Sequence, residues 1–412
     1  MGTPQQQTPA AGIGTSEEIE QFDAIVIGAG ITGLYALYRL REHGLSVRIF
    51  EEGGGVGGTW YWNRYPGCRF DSESYTYGYS FSEELLQEWD WKEYYSGQPE
   101  NERYLNYVAD KFDLRPHIRL NSRVVSAVFD EDDDRWLVQL EDGHRARGRF
   151  LITSVGILSA GYTPDFDGID SFKGPWCHTG RWPKEGMDLA GKRGGVIGTG
   201  ATGVQLITEI AKEVAHLTVF QRTANFCAPL RNGPIDDEAQ REIKASYPEI
   251  FAKCMATAGS FMHEFDPRSA MEVSPEERLE QYERLWAEPG FKKWLSNFYD
   301  VMMPGEANED YAEFFRNKIR ERVHDPLVAE MLVPKDHMFG SKRLPCESGY
   351  YEVYNQDNVL LVDVRQAPIE QITPTGLKTS DAEYDLDVII FATGFDAVTG
   401  SLNRLDIRGI GG

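Results

Sequence analysis

The sequence has no apolar run long enough to span a membrane and no pair of cysteines spaced as C-x-x-C. The sequence has five cysteines, and an odd number is typical of proteins in a reducing compartment. We therefore expect a cytoplasmic protein. The sequence also lacks H-E-x-x-H, G-x-S-x-G and any cluster of cysteine and histidine. We therefore predict no metal site and no serine-hydrolase nucleophile.

Positive charge is scarce in this chain. Its 42 lysines and arginines are outnumbered by 65 aspartates and glutamates, so the formal net charge is −23. Nucleic acids and anionic membranes both need a basic surface, and neither is an expected partner. The charge sets no limit on a neutral small-molecule substrate. With 412 residues and 41% hydrophobic content, two or three domains with real cores are expected.

Two glycine-rich loops are present, and the first carries Gly28, Gly30 and Gly33. It follows the apolar run 22–27, predicted as a buried parallel strand, and precedes an amphipathic helical pattern. The next predicted strand ends in Glu51, close to the spacing of about 20 residues at which an acid accepts hydrogen bonds from ribose hydroxyls. The helix N-terminus would face the pyrophosphate. This combination favours a binding site for a dinucleotide whose ribose hydroxyls are free, most simply FAD. The alternative, a glycine turn that binds no ligand, is less favoured.

The second loop carries Gly198, Gly200 and Gly203, again between a short apolar strand and a helix with an apolar face. The strand that follows is succeeded by Arg222 and Thr223, where an NAD-binding domain would have an acid. Arginine suits a 2′-phosphate, which an acid would repel. The alternative is that Arg222 is an ordinary surface arginine that binds no phosphate. The position of Arg222 favours NADP(H) over NAD(H).

Two dinucleotide sites in one chain indicate electron transfer from a nicotinamide to a flavin. Disulfide reductases share this plan, but they need a reactive cysteine pair near the flavin, and the sequence has none. The predicted fold class is α/β, with two Rossmann-like dinucleotide-binding domains, one for FAD and one for NADP.

Three separated segments, in a match that runs from about residue 22 to 412, resemble Baeyer–Villiger monooxygenases. The string 172–183 fits Phe-x-Gly-x-x-x-His-x-x-x-Trp-Pro through Phe172, Gly174, His178, Trp182 and Pro183. The other matching segments are 57–71 and a C-terminal group at 341–343, 349–355 and 391–396. Sister flavin monooxygenases share both glycine loops but usually replace the final Trp-Pro. The string therefore favours ketone oxygenation.

The resemblance implies an FAD- and NADPH-dependent monooxygenase that inserts one oxygen atom of O2 next to a ketone carbonyl. The product is an ester or lactone, formed through a C4a-peroxyflavin. Arg343 matches the active-site arginine, which stabilises the anionic peroxide, and Asp71 matches the carboxylate that orients it. Lys342 matches a lysine that helps Arg222 and Thr223 hold the 2′-phosphate.

The resemblance also assigns Gly58, Thr59 and Trp60, together with Asp71, to cofactor binding. His178 invites the role of general base, but the reaction takes no proton from the carbonyl. The family places its string on the linker between the nucleotide domains. We therefore interpret the string as structural or domain-coupling, with catalysis by His178 as the alternative.

These motifs also predict the domains. The expected segments are a disordered tail (1–21), a first part of the FAD-binding domain (22–158), an NADP-binding domain inserted in it (159–385), and a second FAD-binding part (386–412). A helical insertion is expected at about 232–335, either covering the active site or only packing against it. Family members normally continue beyond Gly412, so we expect an incomplete FAD-binding domain.

Two other functions compete with this hypothesis. A related flavin monooxygenase would oxidise sulfur or nitrogen, and it would couple NADPH use to a sulfide or an amine instead of a ketone. A non-catalytic fragment that binds flavin or NADP would consume no NADPH beyond a peroxide leak. The expected partners are a small ketone and O2. A monomer is favoured, although the sequence does not define the oligomeric state.

Overall fold

The computed structural model describes residues 19–257 and 259–412. The described chain divides into two compact units. The first comprises residues 19–54, 114–154 and 402–412, and the second comprises 55–113 and 155–401. Of the expected tail, residues 1–18 lie outside the described residues, and the first strand already begins at Glu20.

The strands of the described residues are β1 (Glu20–Ile27), β2 (Val47–Phe50), β3 (Ile118–Arg119), β4 (Val124–Asp130), β5 (Arg135–Leu140), β6 (Arg145–Thr153), β7 (Trp176–His178), β8 (Arg193–Ile197), β9 (His216–Gln221), β10 (Ala228–Pro229), β11 (Cys346–Glu347), β12 (Val359–Asp363), β13 (Ile369–Thr373), β14 (Gly376–Thr379), β15 (Glu383–Asp385), β16 (Val388–Phe391) and β17 (Asp406–Arg408).

The α-helices are α1 (Ile31–Glu42), α2 (Thr59–Trp62), α3 (Ser74–Tyr77), α4 (Glu83–Glu88), α5 (Gln98–Lys111), α6 (Ala201–Ile210), α7 (Asp237–Ala245), α8 (Tyr247–Ala256), α9 (Pro275–Ala287), α10 (Lys292–Leu295), α11 (Glu306–Arg322), α12 (Pro326–Leu332) and α13 (Gly400–Asn403). None of those in the described part of the chain is both long and apolar enough to cross a membrane.

The first unit is built on a seven-stranded sheet in the order β17-β4-β5-β6-β1-β2-β3. Strand β1 pairs in parallel with β2 on one side and with β6 on the other, and β4, β5 and β6 form an antiparallel meander. The carboxyl end of β1 is fully buried, as expected for a central parallel strand. The glycine loop that follows β1 therefore starts from a rigid position in the sheet.

The second unit is built on a five-stranded parallel sheet in the order β12-β9-β8-β16-β7. A parallel pair (β10-β11) and an antiparallel three-stranded sheet (β13-β14-β15) accompany it. Strand β8 precedes the second glycine loop, β9 follows α6, and the two strands pair in parallel. Together with α6 they form the predicted nucleotide-binding βαβ unit. The predicted fold class is confirmed.

One strand lies elsewhere than predicted. The segment 386–412 was expected to form the second part of the FAD-binding domain, but its apolar run Val388–Phe391 pairs, as β16, with β8 and β7 in the second unit's sheet. All four of its residues are buried, so the run suits any central parallel position. The chain rejoins the first unit's sheet only at β17, which pairs with β4. The domain limits as a whole stay a prediction.

Helices α7 to α12 occupy most of the segment 232–335, where an insertion was predicted. Helices α9 and α11 pack through aromatic side chains, among them Tyr282 and Tyr311, whose ring centroids lie 4.5 Å apart. The segment thus contributes an aromatic core to the second unit. Whether it also covers an active site stays a prediction.

Candidate functional site

The two glycine loops have the same internal geometry, although they lie in different units. Gly28 and Gly198 begin the loops with φ angles of +101° and +109°, a region that L side chains rarely adopt. A Cβ on Gly33 would lie 1.9 Å from the Gly28 carbonyl oxygen, and one on Gly203 would lie 2.3 Å from the Gly198 carbonyl oxygen. Each helix must therefore begin against its own loop, with no side chain in between.

Gly30 and Gly200 are the N-cap residues of α1 and α6 and supply no capping side chain. Helix N-termini carry a partial positive charge and donor N–H groups, which favour a pyrophosphate. Both helices are long enough for this effect, at 12 and 10 residues. The residues present in each unit thus fit one dinucleotide.

Glu51 lies directly after β2 and is 5% exposed. Its carboxylate accepts hydrogen bonds from the N–H of Ala29, at 2.6 Å, and from the N–H of Gly53, at 2.7 Å. The first bond joins the carboxylate to the glycine loop itself. Because each carboxylate oxygen has two lone pairs, Glu51 can still accept from a ribose hydroxyl.

Two of the predicted 2′-phosphate ligands, Arg222 and Thr223, directly follow β9. Arg222 and Lys342 are exposed, and neither has an ion-pair partner among the residues that the structure describes. The Thr223 carbonyl accepts a hydrogen bond from the Thr199 hydroxyl in the glycine loop, at 3.0 Å. This bond holds Thr223 beside the glycine loop, and the residue before it, Arg222, has a positive charge that no described ion pair neutralises.

Asp71 and Arg343 form an ion pair, with 2.6 Å between Oδ2 and Nη2. The Asp71 side chain is 0% exposed, whereas the Arg343 side chain is 46% exposed. Burial raises the pKa of Asp71 above its ordinary value, and Arg343 acts in the opposite direction. Asp71 in turn raises the pKa of Arg343, which keeps the guanidinium charged. One nitrogen of the guanidinium is thus held by a buried carboxylate, while nearly half of the Arg343 side chain is exposed.

The segment that precedes Asp71 holds the predicted cofactor residues Gly58, Thr59 and Trp60, at the start of α2. Trp60 is 5% exposed, and its Nε1 donates to the Tyr77 hydroxyl at 2.9 Å. Its ring also packs edge-on against Phe70. The indole is therefore held by structural contacts, and the assignment of all three residues to cofactor binding stays a prediction.

Both ring nitrogens of His178 are bound to the backbone. Nε2 lies 2.9 Å from the Gly394 carbonyl, and Nδ1 accepts from the Gly180 N–H at 3.1 Å. An acceptor at Nδ1 requires the tautomer with its proton on Nε2. Burial lowers the pKa of His178, which favours this neutral form. These contacts support the structural interpretation over general-base catalysis.

Two aromatic residues of the string 172–183 that belong to the signature are buried in the second unit. Phe172 belongs to a buried cluster with Ile389 and Phe391, and Trp182 is 6% exposed. A Cβ on Gly174 would lie 2.4 Å from the Asp387 carbonyl oxygen, so a close backbone contact requires glycine there. Pro183 follows, and its carbonyl accepts from the Gly186 N–H in a turn.

Gln205, which was not predicted as a site residue, lies on α6 and is 8% exposed. Its Oε1 accepts a hydrogen bond from the Tyr65 hydroxyl at 2.9 Å, which joins the helix of the second glycine loop to the chain leading to Asp71. Gln205 lies on the same side of the helix as Glu209, away from the apolar face, so the sequence pattern carried no signal for it. Arg365, which contacts Thr223, was also missed, since no pattern in the sequence relates these two residues.

Comparisons with known proteins agree with this geometry. Residues 26–89 match the family model described as an NAD(P)-binding Rossmann-like domain. The 2-oxo-Δ3-4,5,5-trimethylcyclopentenylacetyl-CoA monooxygenase of Pseudomonas putida is 52% identical over 393 residues, which cover 94% of this chain and 72% of that protein. A Baeyer–Villiger monooxygenase of Pseudooceanicola batsensis is 47% identical, over 95% of this chain and 72% of that protein.

A solved structure is also similar over most of the chain. The crystal structure of OTEMO in complex with FAD and NADP superimposes with a TM-score of 0.93. The two chains share 51% sequence identity, and the match covers 96% of this chain and 75% of OTEMO.

Proposed function

This chain belongs to the Baeyer–Villiger monooxygenases, and we propose that it uses FAD, NADPH and O2 to insert one oxygen atom next to a ketone carbonyl. The observation that carries this proposal is the pair of Asp71 and Arg343, a buried carboxylate that fixes an accessible guanidinium. The products would be esters or lactones, from cyclic or aryl ketones.

The first glycine loop and Glu51 would hold FAD. This is supported by the absence of room for a side chain at Gly33 and by the bond from Ala29 to Glu51. The second loop would hold NADP(H), with Arg222, Thr223 and Lys342 on its 2′-phosphate. When bound and reduced, the flavin supplies the chemistry that activates O2 for transfer to the substrate.

The role that we propose for Arg343 is electrostatic. Addition of oxygen to a carbonyl carbon places negative charge on oxygen atoms, and a fixed cation stabilises that charge more than it stabilises the neutral ketone. Asp71 would orient the guanidinium, because its buried carboxylate engages Nη2 while nearly half of the Arg343 side chain is exposed. An arginine suits this role, since it stays protonated at any working pH.

An isotope experiment tests the proposal. The 412-residue chain, supplied with FAD and NADPH, is given ¹⁸O2 and a panel of cyclic and aryl ketones. We expect one ¹⁸O atom in each ester or lactone and one NADPH consumed per product. If ketones remain unchanged while a sulfide or an amine is oxygenated, the ketone assignment is wrong. NADPH consumption that yields only hydrogen peroxide would contradict the oxygenase assignment for this chain.

Arg343→Ala and Arg343→Lys test the site itself. The alanine variant should retain FAD and lose ester formation by about 100-fold or more, the scale on which removal of one transition-state donor acts. The lysine variant keeps a positive charge but lacks the planar fork, so it should recover only part of this activity. Full activity in the alanine variant would refute the role of Arg343.

A cytoplasmic location and a monomeric state are further proposals.

A further inference from the structure

Arg365 lies just beyond the end of β12, the strand that neighbours β9. The two strands are parallel and in register, with Asp363 opposite Gln221 in the last pair. The register continues past the strands, because the Val364 N–H donates to the Gln221 carbonyl at 2.9 Å. Parallel strands end at the same edge of a sheet, so Arg365 reaches the level of Thr223.

The side chain of Arg365 points to Thr223. Its Nη2 donates to the Thr223 hydroxyl at 3.0 Å. Thr223 is bound in turn to Thr199 of the glycine loop, through its carbonyl, at 3.0 Å. Arg365 is therefore connected by two hydrogen bonds to the loop that is proposed to hold NADP(H), while its side chain remains 46% exposed.

A single carboxylate accompanies this guanidinium in the described part of the chain. Asp336 forms an ion pair with Arg365 and is 41% exposed. His337 also contacts Asp336, with 3.2 Å between Nδ1 and Oδ1. An exposed ion pair of this kind is weak, so it can open or share its guanidinium with a second anion at small cost. The positive charge of Lys342 acts on His337, so this second cation lies near the segment that carries Asp336.

We propose that Arg365 is a further cationic ligand of the 2′-phosphate of NADP(H), held in place by the Thr223 hydroxyl, and that it contributes to discrimination against NAD(H). The inference rests on the proposed binding of NADP(H) by the second glycine loop. A guanidinium has five donors in a planar fork, so one can bind Thr223 while others bind phosphate oxygens.

A structural role is the alternative. In that case the ion pair of Asp336 and Arg365 only fixes the segment that carries Lys342. Loss of either residue would then weaken NADP⁺ binding to the same extent. The two roles differ in one respect. Asp336→Asn and Arg365→Ala both remove the ion pair, but only Arg365→Ala removes the cation.

Calorimetric titration of the FAD-loaded chain with NADP⁺ and with NAD⁺ separates these roles, because the two ligands differ only in the phosphate. We expect Arg365→Ala to weaken NADP⁺ binding by about 10-fold, as for the loss of one charge-assisted hydrogen bond, and NAD⁺ binding by less than about 2-fold. Asp336→Asn should bind NADP⁺ at least as tightly as the unmodified chain.

Arg193→Ala is the matched control. Arg193 is 44% exposed and ion-paired to Asp387, but it begins β8 and so lies at the opposite edge of the same sheet. Its loss should leave both affinities unchanged. If Asp336→Asn weakens NADP⁺ binding as much as Arg365→Ala does, the role is structural and the inference is refuted. The inference is also refuted if Arg365→Ala changes the two affinities equally.

The same titration distinguishes this inference from the proposed function. If the unmodified chain fails to prefer NADP⁺ over NAD⁺, the NADP(H) site itself is refuted, and the role of Arg365 with it. If it prefers NADP⁺, and Arg222→Ala abolishes the preference while Arg365→Ala preserves it, the proposed site is correct and only the inference on Arg365 fails.

Discussion

Gln205 binds the backbone of Arg69 through both ends of its side-chain amide. Its Nε2 donates to the Arg69 carbonyl at 3.0 Å, and its Oε1 accepts from the Arg69 N–H at 3.4 Å. Asp71 follows two residues later and fixes Arg343. The helix that begins at the second glycine loop therefore determines where the segment carrying Asp71 lies. Within the second unit, the proposed NADP(H) loop and the proposed catalytic arginine are joined by a short series of direct contacts.

Gln205→Met should slow the reaction and weaken the fold. Methionine has a similar length but leaves the Arg69 backbone without its partner and removes one hydrogen bond of the Tyr65 hydroxyl, at a cost of about 1–3 kcal/mol in the free energy of unfolding. Because the segment carrying Asp71 then loses its anchor, we expect kcat for a ketone to fall by about 10-fold and peroxide release to rise. Urea unfolding and product analysis measure the two effects separately.

Gln240→Met is the control for this prediction. Gln240 on α7 is as buried as Gln205, at 8% exposed, but its amide has no hydrogen-bond partner in the described residues. The Gln240→Met substitution should change neither kcat nor peroxide release. A Gln205→Met enzyme that is less stable but keeps its kcat would show that Gln205 serves the fold alone.

Gly67→Ala should destabilise the second unit. Gly67 has a φ of +80°, and a Cβ there would lie 2.7 Å from the carbonyl oxygen of Gln205. Gly143→Ala introduces a comparable φ strain, at +89°, but nothing lies within 4 Å of its Cβ. We expect losses of about 3 kcal/mol at position 67 and about 1 kcal/mol at position 143 in the free energy of unfolding. Equal losses in urea unfolding would mean that α6 does not contact this turn closely.

Asp71→Asn should reduce ketone oxygenation while FAD stays bound. Asparagine keeps the shape and can still accept from Arg343, but it removes the charge that holds the guanidinium. We expect kcat to fall by about 10- to 100-fold, with a smaller change in the KM for NADPH. Asp387→Asn, which breaks the exposed pair with Arg193, should leave kcat unchanged. Steady-state kinetics that show the same loss in both variants would contradict a specific role for Asp71.

His178 should make the protein less stable in acid. Burial lowers its pKa below the ordinary value of 6.5, so the unfolded chain binds a proton more readily than the folded one. The free energy of unfolding should therefore fall as the pH falls below about 6.5, until the pH passes the folded-state pKa. Urea unfolding at several pH values measures this slope.

In His178→Phe the slope over this range should be smaller, although His337, whose pKa is also lowered by burial, keeps its own share. An unchanged slope would mean that His178 is not held neutral in the folded protein.

The sequence by itself determined the local elements and the chemistry that they carry. Apolar runs before and after the two glycine loops predicted β1, β2, β8 and β9, because strand formation depends on neighbouring residues. The glycine spacing predicted both loops, since close contact between a helix and its preceding turn excludes any side chain. The two-domain α/β fold and the family follow from these patterns and from the segments that resemble known relatives.

Spacing along the chain does not relate the distant residues that meet: the resemblance alone implied the pair of Asp71 and Arg343, and only the tertiary structure brought Arg365 to Thr223. Asp71 and Arg343 are 272 positions apart, and Thr223 and Arg365 are 142 positions apart. No local pattern relates such positions, because strand order and register are set by packing of the whole sheet. The same reason explains β16: its apolar residues would satisfy either parallel sheet, and only its pairing with β7 and β8 places it in the second unit.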